Sequence, residues 1–254
     1  MRLVYFILCV LMFSYCKKNK EPLESIVEVV EESSLGEEHG LDLSIVMGKF
    51  DPSAHEEFTL IAKSYADREG LYLQKETYKA FQEMNKAAET AGIKLTIRSA
   101  TRNFDYQRGI WERKWAANIK KESGISEQSN ALNILEYSSM PSTSRHHWGT
   151  DIDLNSFENS WFDSGEGLKL YNWMKEHAAA YGFCQVYTSK DDDRPNGYNE
   201  EKWHWSYLPI ADEYYNIAKS HMTDEMISGF NGAGVAKDIG VVRKYILGIN
   251  KSCQ

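Results

Sequence analysis

The chain is short of positive charge: 29 lysines and arginines stand against 37 aspartates and glutamates, for a formal net charge of -8. A nucleic-acid partner requires a basic face, so this balance argues against that class. Cysteine is scarce, with four in 254 residues, too few for a disulfide-built framework. Cys9 and Cys16 fall in the N-terminal segment, leaving Cys184 and Cys253 to pair in an oxidising compartment or to stay as buried thiols. Long apolar runs are missing too. Leu3 to Phe13 falls well short of the ~20 residues a spanning helix needs. Internal repeats are absent.

That short run does have a reading. Arg2, the apolar stretch and Ser14-Tyr15-Cys16-Lys17-Lys18 together read as a lipoprotein-type export signal over residues 1–16, with Cys16 as the lipidated residue that would anchor the protein to a membrane. Ordinary secretion and an uncleaved anchor are the alternatives. Residues 17–40 are glutamate-rich and read as a solvated tether, with folded structure starting near Leu41.

Helices and strands then alternate. Ser53-x-x-Glu56 is a capping box and predicts a helix to about Arg68, closed by Gly70. Tyr78, Phe81, Met84, Ala88 and Ala91 form one stripe of a helix from about Lys75, stopped by Gly92. Residues 93–98 alternate as a half-buried strand, and residues 103–119 read as a helix with Tyr106, Ile110, Trp111 and Trp115 inward. Polar residues 120–143 suggest a loop or short helices. A strand carrying Asp153, a helix over 167–181, a strand over 183–187 and a hairpin tip at 191–197 follow. After Pro209 helices are expected at about 210–220 and 235–248.

The chemistry concentrates in two segments, Ser144-Arg145-His146-His147-Trp148-Gly149-Thr150-Asp151-Ile152-Asp153 and Glu201-Lys202-Trp203-His204-Trp205. Two imidazoles, a carboxylate and a spare glutamate are what a protein needs to hold a zinc ion and leave one position open. His146 and His204 are the candidate imidazole ligands. Asp151 and Asp153 share one face of a strand, so spacing alone does not choose between them. Gly149 permits the tight bend that would let His146 converge with that strand. Glu201, not Glu200, has the Glu-x-x-His spacing of a general base beside a ligand. If Glu201 and His204 lie on one strand, their odd separation demands a bulge or twist. His147 should point away from His146, as a cleft wall or support. Trp203 and Trp205 are expected to brace their strand from the core side.

The pattern Ser144-x-His146-x-x-Gly149-x-Asp151-x-Asp153, followed by Glu201-x-Trp203-His204, resembles that of the VanY-like D-alanyl-D-alanine carboxypeptidases, a peptidase family M15 group of LAS-type zinc peptidases. Tyr181-Gly182-Phe183, Gly197-Tyr198 and Ser99-Ala100-Thr101-Arg102 extend the resemblance across residues 75–208. Asp151 departs from it, standing where the family usually has alanine. The resemblance implies an α+β fold, a small central antiparallel sheet flanked by helices around a single zinc site, as in hedgehog and D-Ala-D-Ala-peptidase domains. It assigns residues 41–208 to that catalytic domain, leaving 209–254 as a helical C-terminal extension packed on it. It selects His146, Asp153 and His204 as zinc ligands. It implies Glu201 as base for a zinc-activated water and Arg102 at the oxyanion or the peptide carboxylate. Ser144, Gln107 and Asp151 become substrate contacts, with Asp151 alternatively orienting a histidine ligand. The implied substrate is a peptidoglycan stem peptide ending in D-Ala-D-Ala, met outside the cytoplasm. An endopeptidase, a D,D-dipeptidase or a zinc-bearing binding module without turnover are the rival readings.

Overall fold

The computed structural model describes residues 43–191 and 193–254; the expected signal, its Cys16 and the tether lie outside the described residues. Helix α1 (Leu43–Val46) comes first. The helix expected from the Ser53 capping box does not form. The Asp51 carboxylate accepts the Ser53 N–H and hydroxyl at 2.8 and 2.7 Å, so the capping side chain closes a local turn instead. Strand β1 (Phe58–Leu60) follows and pairs antiparallel with β2 (Tyr72–Gln74).

Helix α2 (Lys75–Thr90) lies where its apolar stripe places it, with Phe81, Met84 and Ala88 buried. Strand β3 (Ile97–Ser99) is shorter than the alternation over 93–98 suggests. The Asn155 side chain accepts the Thr96 N–H at 3.0 Å and donates to the Lys94 carbonyl at 2.9 Å. A side chain thus occupies the backbone groups that a longer ladder would use. Helix α3 (Phe104–Lys121) is capped by Asn103, which accepts the Tyr106 N–H. Trp111 and Trp115 pack inward, but Tyr106 is exposed, because its place in the first turn faces solvent. Helix α4 (Glu127–Ile134), capped by Ser126, occupies part of the polar stretch before the site.

Strand β4 (Asp151–Leu154), helix α5 (Gly165–His177), β5 (Phe183–Cys184) and β6 (His204–Tyr207) complete an antiparallel sheet of order β3-β4-β6-β5. All four β4 residues are buried. Strand β5 ends three residues before the predicted limit at Tyr187, and α5 gives way to a 3₁₀ turn at Ala178–Tyr181.

Helix α6 (Leu208–His221) follows β6 directly, and α7 (Ala236–Ile239) leads into a π-helical turn at Val242–Ile246. Ile217, Val241, Ile246 and Ile249 share one hydrophobic cluster with Trp111 and Trp148. A second cluster, around Phe81, Ile97, Ile152, Leu170 and Phe183, joins α2 and α5 to the sheet. Cys184 and Cys253 form a disulfide with Cα atoms 5.8 Å apart, which decides between the two states open in the sequence. Among the described residues no helix is long and apolar enough to cross a membrane.

Candidate metal centre and cleft

The backbone leaving β3 and the segment before β4 are stitched together. The Arg102 N–H donates to the His146 carbonyl at 3.1 Å, and the His147 Nδ1 donates to the Arg102 carbonyl. Residues Arg145–Trp148 make one 3₁₀ turn, ended by Gly149 in the left-handed region at φ 72°. A Cβ there would stand 2.3 Å from the Phe58 ring, so glycine is required both by conformation and by space. This reversal feeds β4 and sets His146 over Asp153.

Asp153 pairs with Ser99 of β3 on one side and with His204 of β6 on the other. The His146 Nε2 lies 3.2 Å from Asp153 Oδ2, and the His204 Nδ1 lies 3.0 Å from Asp153 Oδ1. One donor atom from each of the three falls within 4.8 Å of the others, and all three side chains are buried. The far nitrogens are occupied. His146 Nδ1 donates to the Ala100 carbonyl at 2.9 Å, and His204 Nε2 donates to Asp151 Oδ2 at 2.8 Å. In its neutral form each ring therefore presents a lone pair on the nitrogen facing the centre. Two such nitrogens and a carboxylate oxygen fit a divalent cation.

Burial disfavours charge on these groups, and at Asp153 and His204 the neighbours restore it. Despite burial, His146 and His204 hold the Asp153 carboxyl well below the usual range. Burial also opposes the His204 cation, but Asp151 and Asp153 outweigh it and push that imidazole up to about 10. His146 moves the other way, lowered by burial and by Arg102. His147, buried against the Arg102 carbonyl, is driven down to about 3, which keeps it neutral.

Glu201 does not lie on a strand. It sits in a tight turn just before β6, where the His204 N–H donates to the Glu201 carbonyl at 3.2 Å. The turn removes the need for a bulge and brings a Glu201 oxygen 3.5 Å from His204 Nδ1. Burial pushes its carboxyl up to about 8, against the pull of His204.

A cavity of about 630 Å³ opens over these groups. Arg102 lines it, donates to Ser99 Oγ at 2.9 Å and stands 3.8 Å from Asp153. Gln107 and Ser144 also line it, and the Gln107 Oε1 and Ser144 Oγ are buried without a hydrogen-bond partner. Asp151 does not. It is fully buried behind His204, so the substrate contact expected for it gives way to the alternative of orienting a histidine. Trp203 is buried in the core cluster as expected, and one side of it also forms part of the cavity wall. Trp205 stays in the core.

A sequence profile for VanY, described as D-alanyl-D-alanine carboxypeptidase, matches residues 70–210, more than half of the chain. The chain belongs to the VanY family. Among its VanY-like relatives is YodJ of Bacillus subtilis (strain 168), which carries a provisional carboxypeptidase name. It is 27% identical over 140 residues, 54% of this chain and 46% of YodJ. The match thus spans about half of that relative's length. The LdcB LD-carboxypeptidase structure shares the fold, with TM-score 0.50 and 20% identity, over 69% of this chain and 77% of that one. A D,D-pentapeptidase VanY variant from a VanB-type resistance cassette, solved with Zn(II), aligns at TM-score 0.49 and 23% identity, over 66% of this chain and 86% of that one.

Sequence reasoning missed two cations of this VanY-family site. Arg145 is buried, stacked 4.2 Å from the Trp148 ring, and bonded to Asp151. Lys114, on α3 two turns beyond Gln107, reaches the cavity and donates to Ser138 Oγ. The unusual Asp151 was the available signal for Arg145, since a buried carboxylate needs a partner. The i, i+7 spacing from Gln107 was the signal for Lys114.

Proposed function

We propose that this protein is a zinc-dependent D-alanyl-D-alanine carboxypeptidase acting on peptidoglycan stem peptides. The observation that carries the reading is the convergence of His146, Asp153 and His204 beside a buried Glu201 that is free of the donor set. Zinc, held by those three side chains, would supply Lewis-acid polarisation of a carbonyl and a water whose pKa falls to about 7.

The chain's own groups do the rest. Glu201 takes a proton from the attacking water and returns it to the departing amine. Its burial suits it to both directions near neutral pH. Arg102 faces the negative charge that develops on the scissile carbonyl oxygen. Ser144 Oγ and Gln107 Oε1, both on the cavity wall without partners, fix the peptide through its polar groups. The reading also takes the protein to be exported, tethered by lipid on Cys16, and at work on the cell wall.

The test is zinc content of the purified protein together with release of D-alanine from a muramyl pentapeptide. Stoichiometric zinc with D-alanine release supports the proposal. Hydrolysis of free D-Ala-D-Ala without attack on the pentapeptide would move it to a D,D-dipeptidase, cleavage within a cross-link would move it to an endopeptidase, and zinc without any cleavage would make it a binding module.

A further inference from the structure

Asp151 lies behind the cavity, yet it is the most completely hydrogen-bonded side chain near the site. Its Oδ2 accepts from His204 Nε2 at 2.8 Å and from Arg145 Nε at 3.2 Å. Its Oδ1 accepts from Ser206 Oγ at 2.6 Å and from Thr150 Oγ1 at 2.8 Å. An ionised carboxylate has about four lone-pair positions, so these four donors saturate it. Arg145 is fixed in turn by a 2.9 Å bond from Nη2 to Ser206 Oγ and by the Trp148 ring beneath it. Both side chains are almost wholly excluded from solvent.

Asp151 reaches the metal-facing groups through its bond to His204, while Arg145, held against it, also lines the cavity. We infer that Asp151 and Arg145 form a positioning pair that sets how tightly the site holds its cation. Asp151 keeps the proton on His204 Nε2 and stops the ring from turning, which leaves Nδ1 as the lone-pair donor beside Asp153. Arg145 has a separate part. Asp151 and Asp153 are two carboxylates flanking one imidazole, and an unpartnered second anion there would be costly to bury. The Arg145 guanidinium neutralises the hidden one and leaves Asp153 to the cation. The pair is thus an outer support of the kind that raises the basicity of a metal-bound imidazole. The inference rests on the proposed metal centre, and the experiment below keeps the two apart.

The test measures zinc affinity by chelator competition, with the absorption spectrum of the Co(II)-substituted protein as a second readout. It uses the full chain, Asp151→Asn, and the double variant Asp151→Asn/Arg145→Gln, which leaves no unpaired charge if the single variant does not fold. We expect zinc to bind about 10–100-fold more weakly in the variants, with an altered Co(II) spectrum and rings freed from one orientation. A merely structural role would lower the melting temperature of the metal-free protein and leave affinity and spectrum alone. Affinity within threefold of the parent in folded variants would overturn the inference while sparing the metal centre. A parent protein with no zinc affinity would overturn both.

Discussion

His204 faces Asp153 across the β4–β6 ladder, and its Nδ1 lies 3.0 Å from the Asp153 carboxylate. Residues directly opposite in an antiparallel pair stand ~4.5–5.5 Å apart, so strand register itself brings two of the three donors together. His146 arrives by a different route, on the 3₁₀ turn that Gly149 ends. The centre therefore depends on one register and one turn.

Glu201→Gln should keep the metal and lose about 10²–10⁴ in turnover. The substitution replaces a buried carboxyl with a neutral side chain of the same shape, so the fold should persist. Steady-state release of D-alanine, with zinc content measured on the same sample, checks this. Unchanged turnover would remove Glu201 from the role of base.

Zinc binding should weaken as pH falls. In the metal-free protein His204 is pushed up to about 10 by the flanking carboxylates, so it carries a proton at neutral pH that the metal must displace. The raised pKa also stabilises the metal-free fold fully below the unfolded value of about 6.5, a contribution lost as pH rises through about 10. Acid therefore favours the protonated, metal-free form, and alkali favours the loaded one. Affinity should rise by about tenfold per pH unit between pH 6 and 8 if one proton is released. Chelator competition at three pH values gives the slope, and a flat profile would count against His204 as ligand.

Gly149→Ala should cost several kcal/mol. Left-handed backbone alone costs a non-glycine residue about 1 kcal/mol, and the new Cβ would stand 2.3 Å from Phe58. Because the turn also aims His146, zinc affinity should fall together with the melting temperature. A variant that melts lower but binds zinc as before would separate the turn from the site.

Reduction of Cys184–Cys253, or Cys253→Ser, should destabilise the protein by about 2–4 kcal/mol. The bridge spans 69 positions and ties the chain end to β5. Denaturant midpoints with and without reductant measure the difference, while zinc affinity should stay unchanged because the bond lies outside the donor set.

How far the sequence could be read follows from the range of the interactions involved. The stripe of α2 and the inward tryptophans of α3 are periodic and local, and they appear where the pattern puts them. The Ser53 capping box is also local, but a competing carboxylate two residues upstream takes the serine, a contest the pattern alone does not decide. The shortened β3 depends on Asn155, which is 59 positions from Thr96 and visible only after folding. In the site, the two motif segments held the side chains that converge, but the choice of Asp153 over Asp151 came from the family resemblance and not from spacing. Spacing did not reveal that Glu201 lies in a turn closed by the His204 N–H, nor that Arg145 is folded back onto Asp151 by the 3₁₀ turn that Gly149 ends.

The turn joining Glu201 to His204 has an effect on tolerance to change. Glu201 and His204 ride on the same few peptide units, so the spacing of their side chains is fixed by the local bond from the His204 N–H to the Glu201 carbonyl. Insertions beside the exposed Lys190 should therefore leave that pair in place, while the same edits between Gly149 and Asp153 would shift Asp153 away from His146 and His204.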